Sequence, residues 1–407
     1  MDLRARAAEL DATDPLGECR DLFVPAGAGH DAVVAYLDGN SLGRPLRASA
    51  ERINRLVTHD WGTRLIRSWD EQWMDLPMRL GDRIGSVCLG AVAGQTVVAD
   101  STTVLLYKLL RAAVAAASPE RPEIVLDSEN FPTDRYVAEG VAAETGAELV
   151  WLHPDPATGV TVEDVAGAVG PRTGVVLLSH VAYKSAWIAD LPEITRVVHE
   201  VGGLVLWDLC HSAGVLPVGL DAAGVDLAVG CTYKFLGGGP GAPAFAYVAA
   251  QHQGSIRQPI QGWMGHARVF EMGASYEAGE GMRAWISGTP PVLGMVAMED
   301  TVDLIESVGL EAVTAKAVAL GDFVVAAVDA RLAASGVRVA SPRDPGRRGG
   351  HVTLAHPRSR EVCAQLWGEG VIPDFREPDG IRLGLSPLST SFAEVAEALL
   401  RIEELLG

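Results

Sequence analysis

The sequence predicts an α/β fold: a large domain built on a mainly parallel sheet, followed by a smaller α+β C-terminal domain. Two observations carry this. Between about residue 95 and residue 250, short β-branched apolar runs alternate with helical patterns. After about residue 290 the pattern changes to long Ala/Val/Leu helices, an Arg/Gly-rich loop at Arg347-Arg348-Gly349-Gly350, and short strands near His351 to Leu354 and Ile381 to Leu385.

The runs are Thr96-Val97-Val98, Ile124-Val125-Leu126, Val175 to Leu178, Leu204 to Trp207, Leu227-Ala228-Val229 and Phe245 to Val248. Continuous apolar runs of this kind are strands buried on both faces of a sheet. Between them lie helices such as Pro192 to Val201, where Ile194, Val197, Val198 and Val201 share one face and Pro192 suits the first turn. The last helix opens on a capping box, Ser391 with Glu394, ahead of a stripe of Phe392, Val395, Leu399, Ile402 and Leu406. The expected division is an N-terminal segment 1–45 packing with the small domain, a large domain 46–290 and a small domain 291–407.

At 48% hydrophobic and 21% charged, the 407 residues fit a packed globular chain and exclude disorder or a coiled coil. The formal net charge of −19 repels phosphate backbones and anionic membrane surfaces, so neither nucleic acid nor membrane is an expected partner. Five scattered cysteines with no Cys-x-x-Cys pair suggest no zinc site and no disulfide framework. No metal is expected, no apolar leader follows Met1, and the expected location is the cytoplasm.

In open α/β sheets, reactive groups gather past the carboxyl ends of strands. The run ending at Trp207 leads into Asp208-Leu209-Cys210-His211, and the run ending at Val229 leads into Gly230-Cys231-Thr232-Tyr233-Lys234. A carboxylate and a lysine converging from neighbouring strands suit pyridoxal phosphate, the lysine bonding to the cofactor and the aspartate keeping the pyridine nitrogen protonated. Either residue alone could equally be a helix cap or a solvated lysine. Asp100-Ser101-Thr102-Thr103 stands at a helix start, where hydroxyls and free N–H groups bind a phosphate or simply cap the helix. Phe131, after the next strand, could cover a planar ring or fill the core. The loop Gly237 to Ala242 matches a dinucleotide fingerprint only loosely: it comes late in the sheet, contains Pro240 and follows a lysine. Neither a Gly-x-Ser-x-Gly elbow nor a His-Glu-x-x-His motif occurs.

Nine blocks, in order along nearly the whole chain, resemble the kynureninases, pyridoxal-phosphate-dependent hydrolases of the aspartate aminotransferase fold type. They are Tyr36-Leu37-Asp38-Gly39-Asn40-Ser41-Leu42-Gly43, Ile66-Arg67-Ser68-Trp69, Asn130-Phe131-Pro132-Thr133-Asp134, Ser179-His180-Val181, Trp207 to Gly214, Cys231-Thr232-Tyr233-Lys234, Gly262-Trp263-Met264-Gly265-His266, Gly288-Thr289-Pro290-Pro291 and Arg382 to Leu388. The resemblance implies a sheet of the seven-stranded type, a homodimer with shared active sites, and cleavage of the Cβ–Cγ bond of a kynurenine to an anthranilate and alanine. By position it implies that Lys234 holds the cofactor, Asp208 pairs with its ring nitrogen, and His211 and Ser179 line the ring. Phe131 would stack on the ring with Thr133 and Asp134 alongside. Ser101, Thr102 and Tyr233 would bind the phosphate, joined by Trp263 and Thr289 of the second subunit. Tyr233 would also move protons, Arg382 would clamp the substrate carboxylate, and Asn40 and Trp69 would face the substrate. Three positions depart from the bacterial pattern: Ala182 for Asn, Gly237 for Asn and Ser389 for Tyr.

The competing reading is a C–S lyase or desulfurase-like enzyme. A desulfurase needs a mobile cysteine, whereas Cys363 sits in an apparently helical run that suits a core residue. A non-catalytic binding protein of the same fold is opposed by the retention of Asp208, Tyr233, Lys234 and Arg382.

Overall fold

The structure, a computed structural model, describes residues 1–27 and 32–407. Seven strands form the large sheet in the spatial order Thr96–Ala99, Ala244–Val248, Leu227–Gly230, Leu204–Asp208, Thr173–Ser179, Glu123–Asp127, Glu148–Leu152. Ala244–Val248 runs antiparallel to both neighbours, and the other pairings are parallel. Six strands coincide with the apolar runs. The seventh, Glu148–Leu152, is one of the two edge strands, and the sequence reading passes over it because only Leu152 is buried.

Alternation along each strand divides the sheet's side chains between two cores. Val98, Val125, Val176, Val205, Trp207 and Ala228 enter one, together with Met295, Val302 and Ile305 of the helix Val292–Val308. Val97, Ile124, Leu126, Val175, Leu177, Leu206 and Val229 enter the other, covered by the helix Thr102–Ala116. Each fully buried side chain of this kind contributes about 1.5–3 kcal/mol, which fixes the register that sets the strand tips.

The smaller sheet is antiparallel, ordered Asp374–Arg376, Gly380–Gly384, His351–Ala355, Arg338–Val339. Its core is shared with the helices Leu310–Ala327, Ser359–Gly368 and Phe392–Leu406. Both bonds of the capping box at Ser391 form. The first helix, Leu3–Ala12, lies along this last one; Asp11 accepts the amides of Phe392 and Ala393, and Asp14 pairs with the buried Lys316 at 2.7 Å. Ala35–Tyr36 pairs in parallel with Val371–Ile372, which delivers the following Asp38–Gly43 segment to the seam between the two sheets. Among the described residues no helix is long and apolar enough to cross a membrane.

Candidate active site

Asp208 ends its strand at the middle of the large sheet, beside Ser179 in the register of the neighbouring strand. It is buried, and its Oδ1 accepts the Cys210 amide at 2.6 Å. Asp134, in the first turn of the helix Pro132–Thr145, faces it. Burial, reinforced by the charge of Asp208, pushes the Asp134 carboxyl well above the usual range, so Asp134 keeps its proton beside Asp208.

Lys234 follows the next strand, and its Nζ lies 3.0 Å from His211 Nε2. Burial first, and the lysine's charge second, hold His211 well below the ordinary imidazole range. The neutral ring therefore accepts from Lys234 at Nε2 and carries its own proton on Nδ1. Phe131 is 36% exposed, and its ring centroid lies 5.9 Å from Lys234 Nζ. Tyr183 stands edge-on to it at 5.3 Å. Ser179 Oγ donates to Asn130 Oδ1 at 2.7 Å, while Thr133 is half-buried in the same turn. Tyr233 is half-buried, and burial pushes its phenol up, so it stays protonated.

At the helix start, Ser101 caps the amide of Val104 and Thr102 Oγ1 is buried without a partner. Asp100 adopts a left-handed conformation, φ 41°, and its carboxylate is held by the fully buried Lys108, which also donates to the Trp285 carbonyl at 2.9 Å. Lys108 thus fixes the turn that presents Ser101 and Thr102. The unpaired buried atoms Thr102 Oγ1, Asn130 Nδ2 and His211 Nδ1 belong to the residues grouped by the sequence reading. Orphaned polar atoms are costly unless a ligand completes them. Beside a lysine, a carboxylate and a helix N-terminus, they fit pyridoxal phosphate.

Arg382 is 1% exposed on the smaller sheet, donating from Nη1 to the Tyr183 carbonyl at 2.8 Å and from Nη2 to Ser41 Oγ at 2.8 Å and Asp374 Oδ2 at 2.6 Å. Burial, then the neighbouring Arg376, pushes it down to about 10. Burial also pushes Asp38, 3.9 Å from Arg382, up to about 6. Asn40 is wholly buried, its amide unpaired and pressed against Gly384. The Asp38–Gly43 segment joins both halves: a Cβ on Gly39 would strike Ser386, and one on Gly43 would strike the Lys234 carbonyl oxygen. Gly43 also donates to the Tyr233 carbonyl at 2.8 Å. Gly43→Ala is expected to displace the Lys234 loop, costing about 1–3 kcal/mol, and calorimetry of the cofactor-loaded protein checks this.

The structure does not bring every expected residue together. Trp69 is half-buried edge-on to Trp73 at 5.4 Å, with no contact to the Lys234 cluster among the described residues. Trp263 and Thr289, expected from a second subunit, are exposed in the single chain. Conversely, the sequence reading misses His351, Asp374 and Arg376. His351 is fully buried with both ring nitrogens unpaired, 5.4 Å from the His211 ring, and burial holds it well below the ordinary range. The signal was the pairing of the small strands, which sets His351 and Asp374 on the face that carries Arg382.

A family model described as the kynureninase C-terminal domain matches residues 313–402. Over its whole length the chain is 40% identical to the kynureninase of Burkholderia pseudomallei (strain 1106a), covering 96% of that protein, and 40% identical to that of Pseudomonas fluorescens, again over 100% and 96%. The chain belongs to the kynureninase family. Solved structures with the same fold include the cystine C–S lyase C-DES with its product cysteine persulfide, at 17% identity, TM-score 0.80, and 91% and 97% coverage. A cysteine desulfurase from Thermococcus onnurineus gives 18%, 0.78, 91% and 94%. These structural likenesses establish the type I fold expected of kynureninases, and the cofactor of this family is pyridoxal phosphate.

The three departures from the bacterial kynureninase pattern have physical settings. Gly237 has φ 62°, and a Cβ there would strike Thr301, so a larger residue would need Thr301 to move. Ser389 is buried and lines a small cavity with Lys234, Gly237 and Arg44. Ala182 lines a separate cleft with Asn130, Ser179 and Tyr183.

Proposed function

We propose that the chain hydrolyses the Cβ–Cγ bond of L-kynurenine, or of a ring-hydroxylated or methylated relative, giving an anthranilate and L-alanine. The observation that carries this is the convergence of Lys234, His211, Asp208 and Arg382 at one seam in a chain matching kynureninases from end to end. Bound pyridoxal phosphate supplies an electron sink. Lys234 would hold it, Asp208 would face its ring nitrogen, Phe131 its ring face, and Ser101, Thr102 and Tyr233 its phosphate. Lys234 would also take the substrate Cα proton, Arg382 would orient the α-carboxylate, and Tyr233 would hold a proton to donate as water adds to the γ-carbonyl. The C–S lyase alternative finds no support in Cys363, which is buried in its helix.

Exposure of Trp263, Phe270 and Met272 supports a homodimer in which Trp263 and Thr289 complete the partner's phosphate site. Five unpaired buried cysteines support a reducing cytoplasm. We divide the chain at 45 and 290, with the helix Val292–Val308 lending side chains to the large core. The name of the family makes tryptophan breakdown the natural setting.

Purified holoenzyme mixed with L-kynurenine or 3-hydroxykynurenine is expected to release aryl acid and alanine in equal amounts, and the ratio of rates sets ring preference. Pyruvate without aryl acid, or no reaction of either substrate with the cofactor in place, would overturn the assignment.

A further inference from the structure

Arg382 is engaged by the chain's own groups. Asp374 stands directly opposite it in the antiparallel pair, so both side chains project from one face, and Arg376 lies two residues along on that same face. Asp374 Oδ2 lies 2.6 Å from Arg382 Nη2 and also 2.6 Å from Arg376 Nη2. A guanidinium binds a carboxylate best through two adjacent donors. On Arg382 the Nη1 side is taken by the Tyr183 carbonyl, whereas Nε is buried and unpaired. The edge with a wholly unpaired donor is Nε with Nη2, and Nη2 already donates to both Ser41 Oγ and Asp374 Oδ2, so a carboxylate forking onto that edge must displace the contact of Asp374. Arg376 is arranged in parallel: its Nε is buried and unpaired, its Nη2 already meets Asp374, and its guanidinium sits 5.8 Å from the Tyr183 ring.

The geometry points to Asp374 as an internal carboxylate that occupies the Arg382 fork until substrate arrives and is then handed to Arg376. This rests on the reading that Arg382 receives the substrate α-carboxylate. The exchange conserves ion pairs. Asp374 loses one contact to Arg382 and can gain the vacant Nε of Arg376, while the substrate completes Nε and Nη2 of Arg382. No buried charge is left alone, which is the condition under which such an exchange is cheap. Asp374 and Arg376 are thus positioning residues that set the affinity for the amino-acid end of the substrate and exclude weaker carboxylates.

The test uses holoenzyme, with KM for L-kynurenine and the inhibition constant of L-alanine, which shares only the amino-acid end. Asp374→Asn removes the competitor, and both constants are expected to fall together by about threefold or more, in excess of any change in kcat. Arg376→Gln strands Asp374 on Arg382, and both constants are expected to rise. The double variant is expected to match Asp374→Asn alone. A rise of both constants in Asp374→Asn overturns the exchange, as does an Arg376→Gln effect that persists in the double variant. Should Asp374→Asn not retain the cofactor's visible band, Arg376→Gln decides alone: a rise supports the exchange and no change overturns it. Arg382→Lys separates the two layers. If it leaves both constants unchanged, the carboxylate reading itself falls; if it raises both while Asp374→Asn does the same, that reading stands and only the exchange falls.

Discussion

Lys234→Ala is expected to abolish turnover of L-kynurenine, by at least the roughly 10²–10⁴-fold that a positioned acid–base group contributes, and to abolish the visible absorption of the lysine-linked cofactor. The geometry makes the loss specific. Lys234 Nζ is 3.0 Å from the Nε2 of a neutral His211 and 5.9 Å from the Phe131 and Tyr233 rings, which places its amine between the imidazole and the two aromatic rings. His211 cannot substitute, because burial and the surrounding cations hold its imidazole far below the range in which it would gain a proton. Asp208 and the helix start at Ser101 remain in Lys234→Ala, so the cofactor is expected to bind without the covalent link. Added small primary amines should then restore part of the rate by entering the vacated space. Turnover at the native rate without added amine would sink the assignment of Lys234.

How much of this was legible in the chain depends on whether the information was local. Asp208, Lys234 and Ser101 could be named because each lies shortly after the end of a continuous apolar run, and the end of such a run is a strand tip whatever the neighbours do. The edge strand Glu148–Leu152 was not legible, since half-exposed side chains leave no such run. Asp374, Arg376 and His351 belong to strands of five residues or fewer in the smaller sheet. What they do follows from which strand lies opposite which, and no local pattern encodes that. The Asp38–Gly43 block was visible as a motif but not as a mechanism. Its glycines are explained only when the Lys234 carbonyl and Ser386 are found against them. Burial is the other blind spot: a lysine such as Lys108 reads as a surface residue, yet it lies wholly inside, holding the turn before Ser101.

Asp208→Asn and Asp134→Asn are expected to separate by orders of magnitude although the two carboxyls touch. Asp208 sits at the strand tip, its Oδ1 fixed by the Cys210 amide at 2.6 Å, and on the proposed reading its charge would keep a pyridine nitrogen protonated in a buried site. An asparagine there presents no charge, so the electron sink weakens, and kcat is expected to drop by about 10³-fold or more, well beyond the few-fold loss typical of one neutral hydrogen bond. Asp134 plays the opposite part. Burial and the Asp208 charge keep it protonated, so asparagine, a neutral donor of nearly the same shape, can take its place beside Asp208. Asp134→Asn should therefore keep kcat within about tenfold of the parent, whereas Asp134→Ala should lose more by leaving Asp208 short of a partner. Steady-state rates and the pH dependence of the cofactor absorption for the three variants give the comparison. If Asp134→Asn proves as damaging as Asp208→Asn, the charge is shared between the two carboxyls rather than held by Asp208.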